Sequence, residues 1–181
     1  MIVLGIDPGS RHTGYGVLEI VGSNERMIEY GVLHLEIDED HQLRLKRVYD
    51  RITEVANRVC PDECAIEMPI YGQNPQSMLK LGRAQAAAMM AVLNRQIPVT
   101  EYTPKEVKKS VTGRGNASKQ QVWYMVRSIL NVSYHTEEML LDASDALAVG
   151  LCHAHRLSHR AASKTKSWES FIRSNPGRIE S

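Results

Sequence analysis

The sequence predicts an α/β domain built on a five-stranded mixed sheet, three antiparallel strands followed by parallel ones, with helices on both faces. Three observations predict it. Short apolar runs separated by turn residues occupy the N-terminus, and the hydrophobic period then lengthens from two residues to about 3.6. From Cys64 onward, short apolar runs alternate with helical stretches, the rhythm of parallel strands joined by crossover helices.

Taken in order, residues 2–6 (IVLGI) form a first strand stopped by Asp7, Pro8 and Gly9, and residues 14–20 form a second. A turn at Gly22, Ser23 and Asn24 leads to a third, residues 27–35, which completes an antiparallel start. Leu45, Val48, Tyr49, Ile52, Val55, Ala56 and Val59 then recur at helical spacing over residues 42–59, and the arginines and lysine between them form a solvated basic face. Residues 64–67 and 98–102 give a fourth and a fifth strand around a helix at 76–94. Two more helices follow at 118–130 and 137–156. Residues 158–181 show no sustained period, so a body of residues 1–157 and a poorly ordered basic tail are expected.

A chain of 181 residues has room for one domain and a tail, and a body of this size holds a full core unaided. No apolar stretch approaches the ~18 residues of a membrane span. The N-terminus lacks the basic region and cleavage site of a signal peptide, and the cysteines number only three. A cytoplasmic protein in a reducing compartment, without a membrane partner, is the expectation. The net charge of +1 hides an uneven distribution: five basic against two acidic residues make the tail +3 and leave the body at −2. Within residues 101–131, six basic side chains stand against Glu101 and Glu106, a local +4 able to meet phosphate.

Four acids stand out. Asp7 follows the first strand and Glu67 ends the fourth, and in open α/β sheets sites gather at strand ends. Asp142 and Asp145, at i and i+3, share one face of an otherwise apolar helix. Taken singly, Asp7 caps a turn, Glu67 ends a strand and the helical pair faces solvent. Taken together, four carboxylates at one place repel and call for a hard cation, magnesium or manganese. Two such ions would suit in-line hydrolysis of a phosphodiester. Cys60 and Cys64 form C-x₃-C, and Cys152, His153 and His155 cluster, but this spacing matches no usual zinc pattern.

GIDPGSRHTGYGV at 5–17, AIE at 65–67, SMLKLGRAQ at 77–85, VTEYTPKEVKKSVTGRGNASKQQV at 99–122 and DASDALAVGLCHAH at 142–155 occur in one order along the chain. In these segments the sequence resembles the RuvC family of crossover-junction endodeoxyribonucleases, the Holliday-junction resolvases. The resemblance implies an RNase H-like fold, a homodimer, and paired symmetrical nicks in four-way DNA junctions during recombination and repair. It implies two Mg²⁺ ions per site, replaceable by Mn²⁺, held by Asp7, Glu67, Asp142 and Asp145, and branch-migration proteins of the Ruv system as partners. It sets Lys108 and Lys119 against DNA, both within the +4 segment.

Arg114, in the Gly113–Ser118 stretch, is placed to approach a phosphate, although that stretch also reads as an ordinary turn between helices. Many family members carry a phenylalanine three residues after the strand-end glutamate. Here Ile70 occupies that position and Tyr71 follows, so either a wedge or a stacking ring would meet the junction, or Tyr71 packs its loop. On the helix at 76–94, Met78, Leu81, Ala88 and Val92 mark a core stripe, while Leu79, Ala86, Met90 and Leu93 mark a second, suited to a two-fold partner or to burial within one chain. Two rival functions follow. One is a sugar-kinase-like phosphotransferase, which would need a second domain; the other is a junction-binding protein without catalysis.

Overall fold

A computed structural model describes residues 1–22, 24–36, 40–69, 74–132 and 137–164, with side chains described except at 137–142 and 159–164. Five strands, β1 (Ile2–Asp7), β2 (His12–Val21), β3 (Asn24–His34), β4 (Glu63–Glu67) and β5 (Val99–Tyr102), form one sheet in the order β3-β2-β1-β4-β5. The first three pair antiparallel, while β1–β4 and β4–β5 are parallel. Helices α1 (His41–Val59) and α2 (Pro75–Leu93) pack on one face; α3 (Pro104–Thr112), α4 (Lys119–Leu130) and α5 (Glu137–Lys164) pack on the other. The predicted mixed sheet with helices on both faces is the observed architecture.

Strand alternation divides the core. Leu4, Ile6, Cys64 and Ile66 point toward α1 and α2, where they meet Val48, Ile52, Val55, Ala88 and Val92. Ala65 points the other way, into a second core with Val107, Val122, Val126, Leu147 and Leu151. Gln85, buried on α2, donates to the Glu101 carboxylate at 2.7 Å, so its amide is satisfied where α2 crosses the last strand.

Two local differences from the sequence reading have physical causes. Helix α3 is given no bounds by the sequence reading, which implies it only as the helix before the Gly113–Ser118 turn, because only Val107 and Val111 carry its apolar period. Its signal is the capping box of Thr103 and Glu106 with Pro104 at the first position. Helix α5 runs to Lys164, past the expected end at 156, because neither Gly nor Pro interrupts the chain between Gly150 and Pro176. The expected boundary after residue 157 therefore falls inside a helix, and residues 165–181 lie outside the described part. Asp7 and Glu67 are the last residues of their strands, so the sheet itself aims their side chains.

Helix α5 is held unusually close to the sheet. Gly5 and Gly16 are cross-strand partners, and a methyl group at Gly5 would overlap the Ala146 carbonyl oxygen. One at Gly16 would come within 2.5 Å of Leu147 Cδ2. The paired glycines form a flat seat on which α5 rests.

Candidate active site at the strand ends

β1 and β4 are parallel neighbours with Ile6 opposite Ile66, so Asp7 and Glu67 leave adjacent strand ends side by side. Ile6 and Ile66 face α1 and α2; by alternation, Asp7 and Glu67 face α5. The glycine seat sets the distance. Ala146 touches Gly5, two residues before Asp7, and its neighbour Asp145 is thereby brought over the ends of both strands. From there α5 runs back along β4, and His153 Nε2 lies 2.9 Å from Glu63 at the opposite end of that strand. Asp142 lies one helical turn before Asp145, outside the described side chains.

The electrostatics register the convergence. Burial, and then the negative charges of Asp7 and Asp145, push the Glu67 carboxyl up from 4.5 to about 8, while Lys108 and Lys119 pull it down. Five side chains predicted from distant parts of the sequence thus share one field. Lys119, at the start of α4 and placed by the Ser118–Gln121 capping box, sets its ammonium 2.7 Å from the Asp145 carboxylate. Lys108 approaches on α3. Among the described residues no group of three Asp, Glu, His or Cys side chains is arranged to hold one ion. The donor chemistry nonetheless fits a divalent cation: half-buried oxygen acids, two of which oppose the ionisation of Glu67, are relieved by a hard positive charge.

Other predicted residues lie elsewhere. Arg114 is exposed at the turn between α3 and α4, lining a cavity of about 430 Å³ with Gln120, Gln121 and Tyr124. Ile70 and Tyr71 lie outside the described residues. Outside that predicted set, His12 at the start of β2 meets His34 at the end of β3, with Nδ1 atoms 3.0 Å apart. The His153 ring nitrogens are engaged by Tyr102 at 2.8 Å and Glu63 at 2.9 Å. Sequence reasoning missed a second basic cluster, formed by Arg11, Arg44 and Lys80, because its members come from three segments that carry no common motif. No helix among the described residues is long and apolar enough to cross a membrane.

Residues 3–153 match the family model for the crossover junction endodeoxyribonuclease RuvC. A relative of that name from Salinibacter ruber is 54% identical over 99% of both chains, and one from Porphyromonas gingivalis is 46% identical over 98% of this chain and 96% of its own. Thermus thermophilus RuvC in complex with a Holliday junction substrate superposes with a TM-score of 0.81 at 32% identity, covering 88% of this chain and 96% of that one. The architecture is RNase H-like, as the resemblance implied. Matching along almost the whole length, in sequence and in fold alike, makes this chain a member of the crossover junction endodeoxyribonuclease RuvC family.

Proposed function

We propose that this protein is a structure-selective endonuclease that resolves four-way DNA junctions by paired, symmetrical, metal-dependent phosphodiester hydrolysis, in recombination and DNA repair. The observation that carries the reading is the shared field of Asp7, Glu67 and Asp145, with Lys108 and Lys119 at its rim. The names of the relatives, and the junction held by the Thermus protein, support the choice of substrate.

Asp7, Glu67, Asp142 and Asp145 would hold Mg²⁺, or Mn²⁺ in its place, and such ions supply an activated water and charge stabilisation at the leaving oxygen. In the net reaction, the water oxygen bonds to phosphorus, the bond from phosphorus to the 3′-oxygen breaks, and that oxygen leaves as a 3′-hydroxyl opposite a 5′-phosphate. Lys108 and Lys119 attract the backbone on either side of the cut, contacts that position without reading sequence. Without metal, Lys119 neutralises Asp145, and Glu67 retains its proton near neutral pH. Loading of the site therefore releases a proton and strengthens as the pH rises toward 8.

Two symmetrical cuts require two sites. On α2 the side chains of Leu79, Met90 and Leu93 are 56%, 49% and 43% exposed, and Ala86 is exposed between them, an apolar stripe suited to a second copy about a two-fold axis. Arg114, and Ile70 or Tyr71, would meet the junction beyond the cut. Action in the cytoplasm with branch-migration proteins of the Ruv system completes the proposal.

The test is incubation of the protein with an immobile four-way junction and a matched linear duplex, each with Mg²⁺ and with EDTA. Symmetrical nicks in the junction alone, only with metal, are expected. Asp7→Asn should lower cleavage by at least ~10³-fold while the junction still shifts in a gel. Nicking that survives Asp7→Asn would refute the assignment.

A further inference from the structure

A second concentration of positive charge lies on the other helical layer. Ser10 and Arg11, in the turn after Asp7, Arg44 on α1, and Ser77 and Lys80 near the start of α2 line one cavity of about 220 Å³. Its lining offers three cations and two hydroxyl groups, with neither a carboxylate to neutralise it nor an apolar ring to hold a base. Among the described residues, no ion pair engages Arg11, Arg44 or Lys80. Arg44 Nε is buried without a hydrogen-bond partner. Nearby His41 is driven toward its neutral form by burial first, then by Arg44, Arg83 and Lys80, with Asp40 opposing. The α2 terminus is not the attraction, because Asn74 already accepts from the Gln76 and Ser77 amides. What remains is a set of side-chain donors, drawn together from three segments, that lacks its anion.

The position gives that anion a source. Arg11 is four residues from Asp7, so its backbone lies at most ~14 Å away, a span matched by about four phosphates along one strand. Lys108 and Lys119 reach the acidic site from the α3–α4 layer, whereas this pocket belongs to the α1–α2 layer. We propose that the pocket of Ser10, Arg11, Arg44, Ser77 and Lys80 is a second phosphate seat, which grips the backbone of the cleaved strand within about four nucleotides of the cut. The proposal rests on the nuclease reading for its ligand. With both layers holding the strand, the scissile bond would be stretched over the carboxylates from two sides.

Arg11 and Lys80 are exposed, so Arg11→Gln with Lys80→Gln leaves the core untouched. Junction binding by the full chain is measured in EDTA over a range of salt, which separates it from cleavage. The double variant should bind about tenfold more weakly, with a salt dependence shallower by about one phosphate contact. A neutral methylphosphonate moved one position at a time along the strand should weaken the natural protein at a site within about four nucleotides of the cut, and leave the variant unaffected there. Equal salt slopes, or equal sensitivity at every methylphosphonate position, would overturn the proposal. So would inorganic phosphate that binds the natural protein at constant ionic strength, and not the variant, while junction binding stays the same in both; the seat would then serve a free anion. If the junction is bound as expected but never cleaved with Mg²⁺, the nuclease reading fails and the phosphate seat stands.

Discussion

Replacing Glu67 by glutamine should make the metal-free protein more stable, although it removes a residue assigned to the site. Glutamine keeps the shape and discards a charge that burial, Asp7 and Asp145 all disfavour. A carboxyl raised from 4.5 to about 8 corresponds, at ~1.36 kcal/mol per pKa unit, to an upper limit of ~5 kcal/mol. Asp7, Asp145 and Lys119 readjust when the charge disappears, so a gain of ~2–4 kcal/mol is expected. The folded protein keeps the Glu67 proton to a higher pH than the unfolded chain does. The stability contributed by the protonated group is therefore complete below 4.5 and is lost as pH rises to about 8. The advantage of Glu67→Gln should be near zero at pH 4.5, grow through the window and level off above 8. Urea unfolding in EDTA at several pH values measures it, and a gain of this size raises the melting midpoint by about 5–15 °C. Added Mg²⁺ should narrow the gap, because it stabilises the natural carboxylate set more. A variant that is less stable at pH 8.5, or whose advantage does not change with pH, would refute the field described for these acids.

Three other outcomes are expected. Gly5→Ala should cost ~2–4 kcal/mol in urea unfolding, because its methyl group meets the Ala146 carbonyl and lifts α5 from its seat, and cleavage should fall further as Asp145 moves. His153→Phe, which removes the contacts to Tyr102 and Glu63, should cost ~2–3 kcal/mol at pH 7.5. Burial holds the natural His153 below its usual 6.5, so its contribution is complete above 6.5 and is lost as pH falls; the gap between the two proteins should narrow as the pH is lowered below 6.5. Met90→Arg with Leu79→Arg should halve the mass found by sedimentation while leaving the fold intact, since both side chains are exposed in the single chain.

Much of the site was legible because its members obey local rules. Asp7 and Glu67 end apolar runs, and strand ends are where α/β sheets expose chemistry. Asp145 is conspicuous as a charge in an apolar helix, whereas Lys119 was reached through the family resemblance and its place in the local +4 segment. The exposed stripe of α2 was legible too, since Leu79, Ala86, Met90 and Leu93 keep helical spacing apart from the core stripe. In that core stripe Ala88 and Val92 are buried, but Met78 and Leu81 are only half-buried. Arg44 shows where such reading ends. On the helical period it belongs to a solvated basic face, and only the approach of the β1–β2 turn and of α2 converts that part of the face into a pocket.

The sequence by itself determined the five strands, the helices apart from the bounds of α3 and the end of α5, the strand ends that carry Asp7 and Glu67, and the family. Periodicity, turns, caps and motifs are properties of neighbouring residues, so they survive in a linear text. Tertiary structure decided how closely α5 approaches the sheet, that Lys119 pairs with Asp145, and that burial beside two acids raises Glu67 to about 8. Those facts depend on distances between segments far apart in the chain, and such distances are set by packing, where a paired Gly5 and Gly16 matter more than any local pattern.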